Sequence, residues 1–187
     1  MGFSYFFSCS PRTQSAYSVS ANGSLFHIFS GYSENKENTN ALSTMQNVVI
    51  EGALDEQKIV ISGISADEDK YYSSTLAKAV TLSSGDILIT GGKNSEKKAY
   101  RISSNVIGGE DSSTWVPCRN MRFGRAGHAA TRVVKGLEEQ VMVAGGWDAG
   151  GQSQSSVELY SLREDSWRLM PELLHTRADF ALQVHFC

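Results

Sequence analysis

The chain has 187 residues, 41% of them hydrophobic and 10% aromatic, which is enough for one domain with a buried core. Its 17 Lys and Arg against 20 Asp and Glu give a formal net charge of -3, with only Lys97, Lys98 and Arg101 as a scattered basic group. That balance argues against nucleic-acid binding, which rests on a clustered positive field.

Helical periodicity is scarce, and short apolar runs rich in Val, Ile, Phe and Tyr alternate with Gly, Ser, Asn and Asp. Residues 1–10 form an N-terminal segment ahead of a repeat domain over 11–187. Pro11-Arg12 opens a first unit of about 11–70. It holds a predicted strand Phe26-His27-Ile28-Phe29 ending at Gly31, a third strand over 45–50 and a fourth over 58–61. A second unit of about 71–121 carries Ile87-Leu88-Ile89-Thr90-Gly91-Gly92, then Lys98-Ala99-Tyr100, then Trp115-Val116-Pro117. A third, about 122–173, opens at Gly124-Arg125-Ala126-Gly127-His128. It continues through Val141-Met142-Val143-Ala144-Gly145-Gly146-Trp147 and Val157-Glu158-Leu159-Tyr160 to Ser166-Trp167. Thr176-Arg177-Ala178-Asp179-Phe180 then begins the same pattern again, as an extra strand over 176–187.

Self-similarity of this kind marks a repeat architecture. The glycines at Gly31, Gly92 and Gly146 stand 61 and 54 residues apart, and each Trp precedes the next unit's Arg by ten residues. In this alignment Tyr100 takes the place of Tyr160. Gly31, Gly91, Gly92, Gly145 and Gly146 serve sharp turns that a side chain would obstruct. Tyr100, Tyr160, Trp115 and Trp167 supply the apolar surface that cements one unit to the next.

Double glycine, Tyr, Trp and Arg, recurring in that order, resemble the repeat of the kelch family. The resemblance is strong over 120–180, good over 75–120 and weak over 11–70. It implies an all-β fold, a partial β-propeller of four-stranded antiparallel blades packed round a central channel. Three units and one strand fall short of the four to eight blades that close a ring. The expectation is a piece of a longer, six-bladed protein; self-association of two copies, or blades from other subunits, are the alternatives.

Searching for chemistry finds little. His27, His128, His175 and His185 form no HxH or HExxH pattern. There is no G-x-S-x-G elbow, P-loop or G-x-G-x-x-G. Acidic groups such as Asp67-Glu68-Asp69 read as solvated loop charges, and Gly109–Trp115 lacks the glycine of a sialidase-like Asp box. No catalytic residue, metal or cofactor is expected. Cys9, Cys118 and Cys187 make no CxxC pair and read as reduced thiols. The start of the chain lacks the basic region and continuous apolar run of a signal peptide, and no stretch nears the ~18 apolar residues that span a bilayer. A cytoplasmic protein without membrane contact is expected.

The resemblance further implies binding of another protein by loops at one mouth of the ring, outside catalysis. Carried over residue by residue, the loops after the glycines give Tyr32, Lys93, Trp147 and Asp148. The segment around the opening Arg gives Gln14, Arg125, His128, Arg177 and Asp179. Trp147 is the most suggestive, because an aromatic in a glycine-rich loop is typical of binding hot spots. The competing implication is a fragment of a galactose-oxidase-like copper enzyme or another carbohydrate-active propeller, for which no identifiable ligand set is present.

Overall fold

A computed structural model describes residues 75–102 and 115–183, together with the backbone of six strands upstream. These are β1 (Arg12–Thr13), β2 (Ala16–Val19), β3 (Leu25–Phe29), β4 (Tyr32–Ser33), β5 (Met45–Glu51) and β6 (Lys58–Ile64). Residues 1–10, Gln14, Gly31 and 184–187 lie outside the described residues; of Tyr32 and Trp115 only the backbone is described. A second group comprises β7 (Lys78–Thr81), β8 (Ile87–Thr90), β9 (Ala99–Ile102) and β10 (Trp115–Pro117). A third comprises β11 (Ala129–Lys135), β12 (Glu138–Ala144), β13 (Val157–Ser161) and β14 (Ser166–Met170).

The fold is all-β. Three four-stranded antiparallel sheets run in the orders β2-β3-β5-β6, β7-β8-β9-β10 and β11-β12-β13-β14, each a meander, with β4 set aside from the first to pair with β1. Strands β2 and β11 both pack against β7. The first strands of the three sheets therefore line one axis, and each sheet runs outward from it as a propeller blade.

Blades 2 and 3 meet face to face. Val80, Leu82, Leu88 and Ala99 from blade 2 pack with Val141, Val143, Tyr160 and Trp167 from blade 3, and Met121 of the connection joins them. Alternation explains the arrangement: Val141 and Val143 point to one face of β12, as β periodicity requires. On the outermost strand, the Trp167 ring lies 4.8 Å from that of Tyr160 at 37°, and its indole N–H donates to the Arg119 carbonyl at 2.7 Å. Asp165 accepts from the Arg119 N–H at 2.8 Å and from the Tyr160 hydroxyl at 2.7 Å. Those two bonds, the Arg119 N–H foremost, hold its carboxyl below the usual carboxylate range. Burial foremost, with its bonds to Cys118 and Asp165, raises the Tyr160 phenol above its ordinary value. Blade 3 thus grips the connection that leads into it.

The two double glycines are equivalent in backbone. Gly91 and Gly145 have φ of +61° and +60°, where glycine is favoured. A Cβ on Gly91 would stand 2.3 Å from the Arg125 carbonyl, and one on Gly145 would stand 2.4 Å from the Arg177 carbonyl. The following Gly92 and Gly146 N–H groups donate to those same carbonyls, both at 2.8 Å. Each glycine pair therefore seats the opening segment of the next unit.

Two expectations are corrected. Tyr100 is not the counterpart of Tyr160. Gly91 N–H donates to the Lys98 carbonyl and Gly145 N–H to the Ser156 carbonyl, so Lys98 corresponds to Ser156. Tyr100 then stands where Glu158 does, and Ile102, paired with Trp115, stands where Tyr160 pairs with Trp167. A longer loop after the glycines of blade 3 makes the difference. Residues 176–183 also form no strand. Their backbone bonds to loops instead: Arg177 accepts from Gly146, and the Asp179 N–H donates to the Gly127 carbonyl at 2.7 Å.

Candidate functional site

Where two blades meet near the axis, loops rather than strands form the surface. Leu76, Gly127 and Asp179 adopt left-handed backbone with φ of 62°, 59° and 51°. They are linked in sequence: Gly127 N–H donates to the Leu76 carbonyl at 2.8 Å and Asp179 N–H to that of Gly127. Beside this line runs the loop that follows each double glycine. Lys93 N–H donates to the Thr75 carbonyl at 2.8 Å, and Trp147 exchanges two backbone bonds with Ala126, at 2.8 and 2.9 Å. The pairing of Tyr32 with Thr13 in β1–β4 is the same contact in blade 1.

The blade 3 loop is braced internally. Asp148 Oδ1 accepts from the N–H groups of Gly150 and Gln152, both at 2.9 Å, and Trp147 bridges to Ser153. Gln154 Nε2 donates to the Gly124 carbonyl at 2.7 Å and Ser153 Oγ to Thr176 Oγ1 at 2.9 Å, fixing the loop's base to both neighbouring segments. A turn organised by an Asp side chain needs no secondary structure to hold its shape.

Between this loop and that of blade 2 lies an open groove of about 480 Å³, whose lining includes Leu76, Lys93, Glu96, Trp147, Asp148 and Asp179. A second hollow of about 530 Å³ continues from it past Lys97, Lys98 and Asn120. Trp147 is half-buried; the edge of its six-membered ring and the Asp179 carboxylate both lie over Gly127, each within 3 Å of where a Cβ would stand. Among the described residues, no three His, Cys, Asp or Glu side chains come together as a metal site.

Lys93, Trp147, Asp148 and Asp179 are thus brought together. Arg177 is exposed, its guanidinium carbon 5.7 Å from the centre of the Phe180 ring, and does not line the groove. Arg125 and His128 are corrections: both are wholly buried and offer nothing to a partner. Arg125 donates to the Gly145 carbonyl at 2.7 Å, to the Ser156 carbonyl and hydroxyl at 3.1 and 3.0 Å, and to Glu158 at 2.9 Å. Glu158, equally buried, also accepts from the N–H groups of Arg122 and Phe123 at 2.8 and 3.1 Å. Burial pulls the Arg125 pKa down, and Glu158 opposes the shift. This ion pair ties the opening of the unit to its third strand.

His128 is a wedge between glycines. Its ring lies against Gly91 and its backbone against Gly146, and Nε2 bonds Thr90 Oγ1 at 2.9 Å, while Nδ1 has no partner. Its pKa lies well below the ordinary imidazole value, first through burial and then through the charges of Arg125 and Lys78. The fold therefore needs the neutral ring, whereas the unfolded chain takes up a proton below about pH 6.5. The stability His128 contributes is complete above that pH and is lost as pH falls toward its folded pKa, by up to about 1.4 kcal/mol per unit. Urea unfolding at pH 7 and pH 5 tests this. The His128→Gln variant should lose less stability between the two than the native chain; an equal loss contradicts the assignment.

The residues that sequence reasoning missed are Leu76, Asn94 and Glu96 in the groove and Glu158 behind it. Glu158 had a signal, a lone carboxylate inside the apolar run Val157–Ser161.

Residues 136–174 match the family model for the Kelch motif. A search of curated proteins gave no match. Among solved structures, the chain is similar to a fungal alcohol oxidase of the AA5 family in complex with copper. The identity is 16% and the TM-score 0.56, over 85% of this chain and 30% of that one. It is also similar to the structure of YjhT, at 12% identity and a TM-score of 0.61, over 90% of this chain and 54% of that one. The chain spans about a third and about half of the lengths of these two proteins, and at such identities the likeness is one of fold.

Proposed function

We propose that this kelch-repeat chain is a non-catalytic interaction module that binds another protein in the groove between blades 2 and 3, acting in the cytoplasm as a scaffold or substrate adaptor. The observation that carries the reading is Trp147. It stands half-buried on the longer of two otherwise equivalent loops, in a groove that strand packing does not require. Two blades with the same glycine seats and the same Trp strand differ in the loop that carries Trp147, which runs from Gly146 to Ser156 in blade 3 against Gly92 to Lys98 in blade 2. Variation concentrated on a rigid scaffold's loops is the usual mark of recognition. The cytoplasmic setting rests on three distant cysteines without a CxxC pair.

A random peptide library displayed on phage and selected on the chain tests the proposal. Trp147→Ala should weaken the selected peptides by about 2 kcal/mol, as hot-spot truncations do, with the melting temperature almost unchanged. A large fall in melting temperature would make Trp147 a packing residue, and undiminished binding would place the contact elsewhere. The oxidase reading, favoured by the fold likeness to a copper-bound enzyme, is separated by titration with Cu(II): stoichiometric, tight uptake supports that reading against ours.

A further inference from the structure

We infer that the groove recognises an arginine side chain presented by the protein partner. This rests on the interaction reading above and names the chemistry of its ligand. The groove's charged residues are the three carboxylates of Glu96, Asp148 and Asp179 and one lysine, Lys93. The groove itself is therefore net acidic, with Lys97 and Lys98 lining the hollow that adjoins it. Two groups in it are left without partners among the described residues: the Asp179 carboxylate and the Trp147 indole N–H take part in no hydrogen bond or ion pair. Asp148 is different, since its Oδ1 is committed to the loop's own backbone.

The juxtaposition of Asp179 with Trp147 is built rather than incidental. Gly127 has no side chain at the point where both converge; any Cβ there would meet Trp147 Cζ3 at 2.5 Å and Asp179 Oδ1 at 2.7 Å. Asp179 is held in left-handed backbone at φ 51° by its bond to the Gly127 carbonyl, which fixes where the carboxylate emerges. An aromatic face beside an unpaired carboxylate offers a planar cation both of its preferred contacts at once. A guanidinium stacks on the indole and places a paired N–H fork on the carboxylate. A lysine ammonium matches the charge without the fork or the stacking plane. Acidic partners are disfavoured, because they would bring a carboxylate to three others.

The test uses the peptides selected on the native chain. Those that depend on Trp147 should share an arginine. Replacing it by citrulline, which keeps the shape and removes the charge, should weaken binding about tenfold, and lysine should weaken it less. Asp179→Asn should weaken the arginine peptide by a similar factor and leave the citrulline peptide almost unaffected. Glu138→Lys, a charge change on the remote β11–β12 hairpin, controls for the overall field and should leave both unaffected. Trp147-dependent peptides that carry an acidic or apolar residue instead, or that bind citrulline equally well, overturn the inference while the interaction reading stands. Peptides that bind independently of Trp147, or no selected peptide at all, overturn both.

Discussion

Glu158→Gln is expected to destabilise the chain by about 3–5 kcal/mol, the range for removing one partner of a buried ion pair. Arg125 and Glu158 both have side chains with no solvent exposure. Glutamine could still accept one bond from the guanidinium, but the positive charge would remain with no water and no counter-charge. The Arg122 and Phe123 N–H groups would also compete for the one remaining carbonyl oxygen. Since domains of this size are stable by only about 5–15 kcal/mol, much of the population would unfold at modest urea. The double variant Arg125→Met with Glu158→Leu should cost less than Glu158→Gln alone, because neither charge is then stranded. Urea unfolding of the native chain and the two variants decides it, and a double variant that loses as much as Glu158→Gln or more would contradict the account.

Trp167→Ala is expected to cost a further class of about 3–5 kcal/mol, as Trp truncations in cores do. The indole is 5% exposed and is shared between Tyr160 on its own blade and the Arg119 carbonyl of the connection. Its loss opens a void in the face that joins blades 2 and 3 and leaves a carbonyl unpaired. Trp167→Phe should cost less, since it keeps most of the apolar area and forfeits the hydrogen bond. Limited proteolysis adds a local readout. Cleavage near Arg119 and Arg122 should accelerate in Trp167→Ala, because that segment is tied to blade 3 by Trp167, Asp165 and Glu158. Unchanged cleavage would contradict its role as the clamp on the connection.

How far the sequence discloses this molecule depends on what each signal encodes. Blades were legible because Gly91-Gly92 and Gly145-Gly146 are required by backbone geometry, and geometry repeats with the fold. Trp115 and Trp167 align for the same reason, each pairing with the equivalent residue of the preceding strand. Tyr100 misled, since residue identity can recur while a loop changes length and moves the register by two. Arg125 and His128 misled differently. Their place near the mouth was visible, but depth was not: a charged side chain is read as exposed unless its partner is recognised, and Glu158 lies on another strand. Asp179 and Trp147 were found as separate positions. That they converge over Gly127 depends on backbone placement that no local pattern carries.

Hydrogen exchange of the chain alone and with a selected peptide bound tests the central claim most directly, since it maps the contact without any substitution. The account predicts added protection in the two loops over 93–96 and 147–152 and around Asp179, with the β11–β12 hairpin and the outer strand β14 unchanged. Protection confined to that hairpin or to the outer strands, with those two loops unaltered, would contradict it.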